Sequence, residues 1–198
     1  MQDSYRRTLA TAGAVIALAA AACGSSVADT PGPTPSPVTA DSVRAAFDNS
    51  TMKNAHFNLS GTVIKKPSYY PVTGDGVLQR TPREALLMNL RVQTYTSMGV
   101  LKIQEVTIGG KLYTRVGTGR WTSQRTTDSP VAPTTYVGEE IIDGTMVWHA
   151  RSTSAKSTYE IWVREDDGYV VKLGYAGTSG NFTMTFDTYN KSRAITAP

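Results

Sequence analysis

The feature that most constrains the fold is a period-two alternation of apolar and polar residues that recurs along most of the chain. It is clearest over residues 57–63, 86–95 and 182–189, where Phe, Leu, Met or Val takes alternate positions. Successive side chains of a strand point to opposite faces of a sheet, so this pattern predicts half-buried strands. About eight or nine such segments are separated by turn signals, and none alternates with helices as in a βαβ fold. The sequence therefore predicts a mainly β domain built on one antiparallel sheet.

A short helix is predicted ahead of the strands. Val43, Ala46 and Phe47 fall on one helical face, and Thr39 or Asp41 can cap the first turn. The polar segment that begins at Asn49 ends the helix. We expect this helix to form a small N-terminal cap on the sheet.

Two turns and one bulge are predicted between the strands. Gly109-Gly110 and Glu165–Gly168 fit hairpin turns, because glycine reaches the left-handed backbone conformation that such turns need. The alternation slips at Gln104-Glu105, which predicts a β-bulge within the strand from Val100 to Ile108.

Prolines predict two irregular stretches. The first lies around Pro67, Pro71 and Gly74. The second covers residues 118–140, which contain few apolar residues and no helical period.

Residues 1–22 are predicted to be a lipoprotein signal peptide. Arg6 and Arg7 precede the apolar run Leu9–Ala22, which is shorter than the ~20 residues that cross a bilayer as a helix. Small residues lead directly to Cys23, the single cysteine of the chain, so an internal disulfide is excluded. This arrangement resembles a bacterial lipobox, in which the thiol receives a diacylglyceryl group and the cysteine becomes the mature N-terminus.

The alternative is a conventional secretory signal that happens to be cleaved near a cysteine. An unpaired thiol is a liability in an oxidising compartment, so lipidation is the better explanation of Cys23. The pair Arg6-Arg7 also fits twin-arginine export, which leaves the export route open. We expect a protein anchored at the extracytoplasmic face of the cell membrane.

Residues 23–39 are predicted to be the lipidated cysteine and a tether, followed by one folded domain over residues 40–198. Pro31, Pro33, Pro35 and Pro37 stand among Ser, Thr and Ala. Alternating prolines favour an extended polyproline II conformation, which reaches up to ~50 Å over this length and forms no core.

Composition and motifs argue against several function classes. Lys and Arg number 20 against 16 Asp and Glu, and the formal charge of +4 without a dense basic cluster does not indicate a nucleic-acid binder. His56 and His149 are the only histidines, and neither has neighbours at metal-ligand spacing. The chain also lacks a Gly-x-Ser-x-Gly elbow and a dinucleotide fingerprint. We therefore expect no enzyme activity, no metal and no cofactor.

The aromatic and methionine residues on the predicted strands allow two interpretations. Their default role is a packed core or a half-covered sheet face. The functional alternative is a sheet curved around an apolar cavity, with Met88, Met146 and Met184 as adaptable lining. The same residues would serve either role.

The order of several features is informative. A lipobox, a proline-rich tether and a short helix precede Phe57–Gly61 and Gly110–Tyr113, and Trp121 follows. Later come Glu140–Gly144 and Tyr159–Val163. Over roughly residues 41–189 this order resembles the LolA/LppX-like superfamily of bacterial lipoproteins.

The resemblance implies a curved half-barrel sheet closed by helices, with a groove that carries a lipid or glycolipid without catalysis. The proline-containing residues 123–136 stand where the superfamily commonly has more helix, which implies a thinner lid. The alternative is a protein-interaction or sensor module whose groove is filled by its own side chains. The lipid-binding candidates are apolar residues of the predicted strands: Phe57, Leu59, Met88, Leu90, Val92, Met146, Trp148, Ile161, Val171, Leu173, Phe182, Met184 and Phe186.

Overall fold

The structure, a computed structural model, describes residues 37–95, 99–126 and 132–198. The predicted signal peptide, Cys23 and most of the predicted tether lie outside the described residues. The elements are one helix, α1 (Ala40–Asn49), and eleven strands: β1 (Asn54–Lys65), β2 (Ser68–Gln79), β3 (Ala85–Gln93), β4 (Val100–Ile108), β5 (Lys111–Val116), β6 (Thr122–Arg125), β7 (Thr135–Ile142), β8 (Thr145–Thr153), β9 (Ser157–Arg164), β10 (Val170–Gly177) and β11 (Gly180–Tyr189).

All eleven strands form one antiparallel sheet in the order β6-β5-β4-β3-β2-β1-β11-β10-β9-β8-β7. Each strand pairs with its neighbour in sequence except β6 and β7, which do not pair with each other, and β1 pairs with β11 to join the two halves. The sheet stays open, with β6 and β7 at its two edges. The prediction of a mainly β chain with a single antiparallel sheet and a short helical cap is confirmed.

The connection between the two edge strands requires the sheet to curve. Eleven strands about 4.8 Å apart would span about 48 Å if the sheet were flat. Ten peptide steps separate Arg125 on β6 from Thr135 on β7, and they reach at most about 36 Å. A flat sheet is therefore impossible, and the curvature agrees with the expected half-barrel.

The proline-rich stretch around residue 71 is a strand, so the predicted irregular segment is wrong there. Pro71 lies opposite Thr62 within β2. Strand β3 pairs with β2 only from Val72 onward, so Pro71 has a neighbouring strand on one side. A proline is tolerated at such an edge position because its missing N–H leaves no ladder bond unmade.

Residues 118–140 also contain two strands, β6 and most of β7, where none was predicted. All four residues of β6 are exposed, and most of β7 is exposed or half-buried. An edge strand with solvent on both faces carries no alternation, so the period-two signal could not reveal it.

The bulge predicted at Gln104-Glu105 is wrong. Strands β3 and β4 pair in unbroken register from Ala85 opposite Ile108 to Gln93 opposite Val100. The alternation slips because Glu105 takes a buried position on the inward side of a regular strand. The two predicted hairpin turns are confirmed, with positive φ at Gly109, Gly110 and Gly168.

Helix α1 covers the apolar face of the sheet, which we call the core face. Val43 and Phe47 on the helix are buried in the same cluster as inward residues of the strands. Thr39 caps the helix through a reciprocal capping box with Ser42. All members of the cluster and the residues packed against it lie between Val38 and Tyr189, so this part of the chain carries its own core.

Candidate functional site

Rows of paired residues cross the core face from strand to strand. One row contains Phe57, Gly76, Met88 and Glu105, which stand opposite one another on β1 to β4. A Cβ at Gly76 would lie 2.4 Å from the Phe57 ring, so glycine at this position makes room for the aromatic side chain. The centre of the sheet is therefore closely packed.

The structure brings most of the predicted lipid-binding residues together in this core. Two residues are placed differently: Met146 is 41% exposed, and Val171 lies at a register irregularity between Val170 and Lys172. Trp148 and Leu173 are partly buried against the cluster. The remaining candidates are buried members of it: Phe57, Leu59, Met88, Leu90, Val92, Ile161, Phe182, Met184 and Phe186.

A small cleft opens between these core residues. Its volume is about 20 Å³, close to the space that one water molecule occupies. Six of the predicted candidates line it: Leu59, Met88, Leu90, Leu173, Phe182 and Met184. At this part of the core face the side chains fill the space that a ligand would need.

A much larger cavity lies at the end of the sheet where α1 finishes. Its volume is about 490 Å³, within the range of roughly 300–1,000 Å³ typical of small-molecule sites. None of the thirteen predicted lipid-binding residues lines it. Its lining residues come from α1, from β2 to β4, from the turns that follow β2 and β4, and from the residue after β6: Phe47, Leu78, Gln79, Arg80, Arg83, Glu84, Ala85, Leu86, Thr107, Ile108, Gly109, Gly110 and Thr126.

The floor of this cavity is a row on the core face. Leu78, Leu86 and Thr107 stand opposite one another on β2, β3 and β4. Leu78 and Leu86 are buried, and Phe47 joins them from the helix. The floor is therefore apolar, except for the Thr107 hydroxyl.

Arg80 holds the wall between the cavity and the helix. Its guanidinium donates hydrogen bonds to the carbonyl oxygens of Phe47 (2.7 Å) and Asp48 (3.0 Å) and to the Ser50 hydroxyl (2.7 Å). It also lies 4.3 Å from the centre of the Phe47 ring. The guanidinium thus satisfies carbonyl oxygens at the C-terminal end of the helix, so the cationic side chain fixes the position of α1 on the sheet.

Gln79 fixes the loop of residues 80–84 that joins β2 to β3. Its side-chain amide donates to the Arg83 carbonyl at 2.7 Å, and its side-chain oxygen accepts from the Ile195 amide at 2.7 Å. The C-terminal segment is thus tied to the cavity loop. Arg83 and Glu84 are exposed at the rim, where they supply one positive and one negative charge.

Glu105 is the most unusual residue near the cavity. It is fully buried on the core face, two positions before Thr107 on the same strand. Among the described residues, neither of its carboxyl oxygens nor the Thr107 hydroxyl has a hydrogen-bond partner. Burial raises the pKa of the Glu105 carboxyl to about 8, so the group is mostly neutral at pH 7.

Sequence analysis missed both Glu105 and the cavity lining. The signal for Glu105 was present, because an unbroken period from Leu101 and Ile103 places residue 105 inward. Arg80 and Arg83 lie in a hairpin loop, and no periodicity marks a loop residue as part of a cavity.

The two histidines lie on the opposite, outer face of the sheet. His56 Nδ1 is 2.8 Å from an Asp187 carboxylate oxygen. His56 is thus a partly exposed polar residue on a strand face.

His149 is buried more deeply, in a network of polar side chains. Its Nδ1 lies 2.7 Å from Glu140 Oε1, and its Nε2 lies 3.3 Å from Glu160 Oε1 without hydrogen-bond geometry. The ring stacks on Trp162 at 4.1 Å, and the Trp162 indole donates to Glu140 at 3.0 Å. Within the described ranges, no group of three or more His, Cys, Asp or Glu residues is arranged to hold a metal ion.

None of the helical structure in the described residues has the length and apolarity that a membrane span requires.

Comparison with known proteins returns solved structures of low sequence identity. No family model and no curated protein sequence matches the chain. The fold is similar to that of LprF from Mycobacterium bovis, with 12% identity, a TM-score of 0.43 and coverage of 80% of this chain and 93% of that one. It is also similar to lipoprotein LppX from Mycobacterium tuberculosis, with 12% identity, a TM-score of 0.47 and coverage of 79% and 99%. A LolA superfamily protein from Nitrosomonas europaea matches with 11% identity, a TM-score of 0.35 and coverage of 81% and 96%. At these identities and TM-scores the similarity concerns the fold alone.

Proposed function

We propose that this chain is a cell-envelope lipoprotein, anchored through Cys23, whose β domain binds a lipid or another amphiphile without catalysing a reaction. The observation that carries the proposal is the cavity of about 490 Å³ between α1 and the ends of β2 to β4. Its apolar floor and charged rim suit a molecule with an apolar body and a polar head.

The physical basis of binding would be apolar burial at the floor. Leu78, Leu86 and Phe47 present apolar surface, and each Å² that a ligand removes from water contributes about 25 cal/mol. Arg83 at the rim is available to orient a polar group.

The residues predicted as lipid-binding take a supporting part in this proposal. Leu59, Met88 and Leu90 fill the core face and leave a cleft of about 20 Å³. A ligand chain that extends from the cavity into the core face would have to displace them. The flexible Met88 side chain is the one best suited to move.

The cavity is tested with a substitution that fills it. Ile108 lines the cavity, and Ile108→Trp would occupy much of its volume. The matched control is Ile64→Trp, at a half-buried position on β1 near the other end of the sheet. Native mass spectrometry after incubation with a fluorescent fatty acid should show uptake by the wild type and the control, and loss of uptake in Ile108→Trp. Equal uptake by all three, or none by the wild type, contradicts the proposal.

The anchor is tested separately. A Cys23→Ala variant cannot receive a diacylglyceryl group, so we expect it to leave the membrane fraction in which the wild type is found. Metabolic labelling with a palmitate analogue should mark the wild type and leave the variant unlabelled. If the variant fractionates and labels as the wild type does, the anchor at Cys23 is refuted.

A second candidate function is a protein-interaction or sensor module on the same sheet. The close packing of the core face favours it, because a cleft of about 20 Å³ accepts no ligand without rearrangement. This alternative predicts that cavity filling by Ile108→Trp has no effect on function, whereas the lipid proposal predicts a loss.

A further inference from the structure

The loops at the end of the sheet opposite the cavity carry positive charge without acidic residues, although Glu160 lies on the outer face in the same cross-strand row as Arg91. Five connections between strands have their described residues there, at 66–67, 94–95 and 99, 117–121, 154–156 and 178–179, and none of these residues is Asp or Glu. They contribute Lys66, Arg120 and Lys156, all exposed. By contrast, the loops at the cavity end contain acidic groups such as Glu84, Asp143 and Glu165–Asp167. The charge of the domain is therefore unevenly distributed between its two ends.

Two further cations of this end face each other across a strand pair. Arg91 on β3 stands directly opposite Lys102 on β4, and both are exposed on the outer face. In the part of the chain that the structure describes, neither forms an ion pair with an acidic side chain. Like charges directly opposite one another in a sheet are destabilising, so the fold tolerates this pair at a cost. An anion bound at this surface would relieve the repulsion.

Exposed aromatic and apolar side chains lie among these cations. Tyr69 is 57% exposed, Tyr95 is 72% exposed and Val100 is 48% exposed. All three lie at the same end of the sheet, at the start of β2, just after β3 and at the start of β4. Tyrosine suits the boundary between water and hydrocarbon, because its ring is apolar and its hydroxyl is polar.

We propose that this surface docks the domain on an anionic lipid membrane. We call it the basic rim: Lys66, Arg91, Lys102, Arg120 and Lys156, together with Tyr69, Tyr95 and Val100. The charge complementarity argues for phospholipid headgroups, since cations attract them and the tyrosines and Val100 can enter the interface. The inference adds a partner surface to the proposed envelope location, and it depends on neither the cavity nor Cys23.

The test uses residues 37–198, which carry the core cluster formed by the described residues and lack the predicted anchor. Sedimentation with vesicles of equal parts phosphatidylcholine and phosphatidylglycerol should pull down the domain at low salt. Vesicles of phosphatidylcholine alone should bind it much more weakly, and high salt should release it from the anionic vesicles.

A triple variant and a matched control locate the surface. Lys66→Gln, Arg91→Gln and Lys102→Gln together should weaken binding about a hundredfold, because each cation near an anionic membrane contributes about fivefold. The control, Lys111→Gln with Lys191→Gln and Arg193→Gln, removes the same charge from exposed positions at the cavity end and should bind nearly as the wild type does. If both variants lose vesicle binding equally, the binding depends on the net charge of the domain and not on the basic rim, and the proposal is overturned.

Two further measurements separate the remaining outcomes. Tyr95→Ser should weaken vesicle binding at low salt without changing how steeply binding falls as salt is added, because its contribution is interfacial and not electrostatic. Binding to a soluble polyanion such as polyglutamate or RNA, without binding to anionic vesicles, would indicate a macromolecular partner and refute membrane docking. Loss of ligand uptake in Ile108→Trp with intact vesicle binding would show that the cavity and the basic rim act separately.

Discussion

Glu105 on β4 lies directly opposite Met88 on β3, and both side chains are buried on the core face. Burial raises the pKa of Glu105 from 4.5 to about 8. Between pH 4.5 and about pH 8 the Glu105 carboxyl therefore keeps its proton in the folded protein and loses it in the unfolded chain. The free energy of unfolding should therefore fall as the pH rises through this window, by on the order of 5 kcal/mol. Glu105→Gln, which cannot ionise, should remove this dependence and make the protein more stable than the wild type above about pH 8. Urea denaturation at a series of pH values measures both effects.

The control for this prediction is Glu84→Gln. Glu84 is exposed at the cavity rim, so its replacement should leave the pH dependence of the wild type intact. The assignment of a neutral buried carboxyl is contradicted if the free energy of unfolding of the wild type stays level between about pH 5 and pH 8, as that of Glu105→Gln is expected to do.

Arg80 should be the most sensitive position in the wall of the cavity. Arg80→Gln removes a cation that donates three hydrogen bonds at the end of α1 and packs on the Phe47 ring. Hydrogen bonds from a charged donor contribute about 1.5–3 kcal/mol each and are not additive, so we expect a loss of about 2–4 kcal/mol in the free energy of unfolding. Thermal denaturation followed by circular dichroism checks this value. Arg83→Gln, in the same loop but exposed, should lose less than about 0.5 kcal/mol.

Gly76 should not tolerate a methyl group. The Cβ of an alanine would lie 2.2 Å from the Leu87 carbonyl oxygen on β3 and 2.4 Å from the Phe57 ring on β1. The β2 backbone and the Phe57 side chain would therefore have to shift to make room for it. Gly76→Ala should cost about 1–3 kcal/mol. Gly174→Ala is the comparison, because its nearest contacts of 3.4 Å are ordinary van der Waals distances. Equal unfolding midpoints for the two variants would show that the strand adjusts at Gly76.

The sequence predicted the sheet because most strands are half-buried. Phe57 and Leu59 alternate with polar neighbours, and the structure places them on the core face as expected. The prediction failed where burial does not follow the pattern. Exposed edge strands such as β6 show no alternation. Pro71 suggested a turn, but it lies within β2 at a position where β3 does not pair with that strand.

The candidate site was harder to predict than the fold. Residues such as Leu90 and Met184 have the same apolar character whether they line a cavity or fill a core, and the structure places them in a packed core. The larger cavity forms where the end of α1 meets two hairpin loops, and that meeting depends on tertiary contacts such as Arg80 with the Phe47 carbonyl. Periodicity describes one strand at a time and contains no information about such contacts.

The opposed pair Arg91 and Lys102 predicts a gain in stability when one charge is reversed. Arg91→Glu would place a carboxylate directly opposite Lys102 on the outer face, replacing repulsion by attraction across the strand pair. Cross-strand charge pairs contribute roughly 0.2–1 kcal/mol each, so we expect the free energy of unfolding to rise by about 1 kcal/mol at low salt. The gain should shrink at about 1 M salt, where the Debye length falls to about 3 Å. Urea denaturation of residues 37–198 at both salt concentrations measures this gain in stability. If the variant is no more stable than the wild type at low salt, Arg91 and Lys102 do not repel each other across the strands. The same variant should bind anionic vesicles more weakly, so that a surface made more stable becomes a poorer docking site.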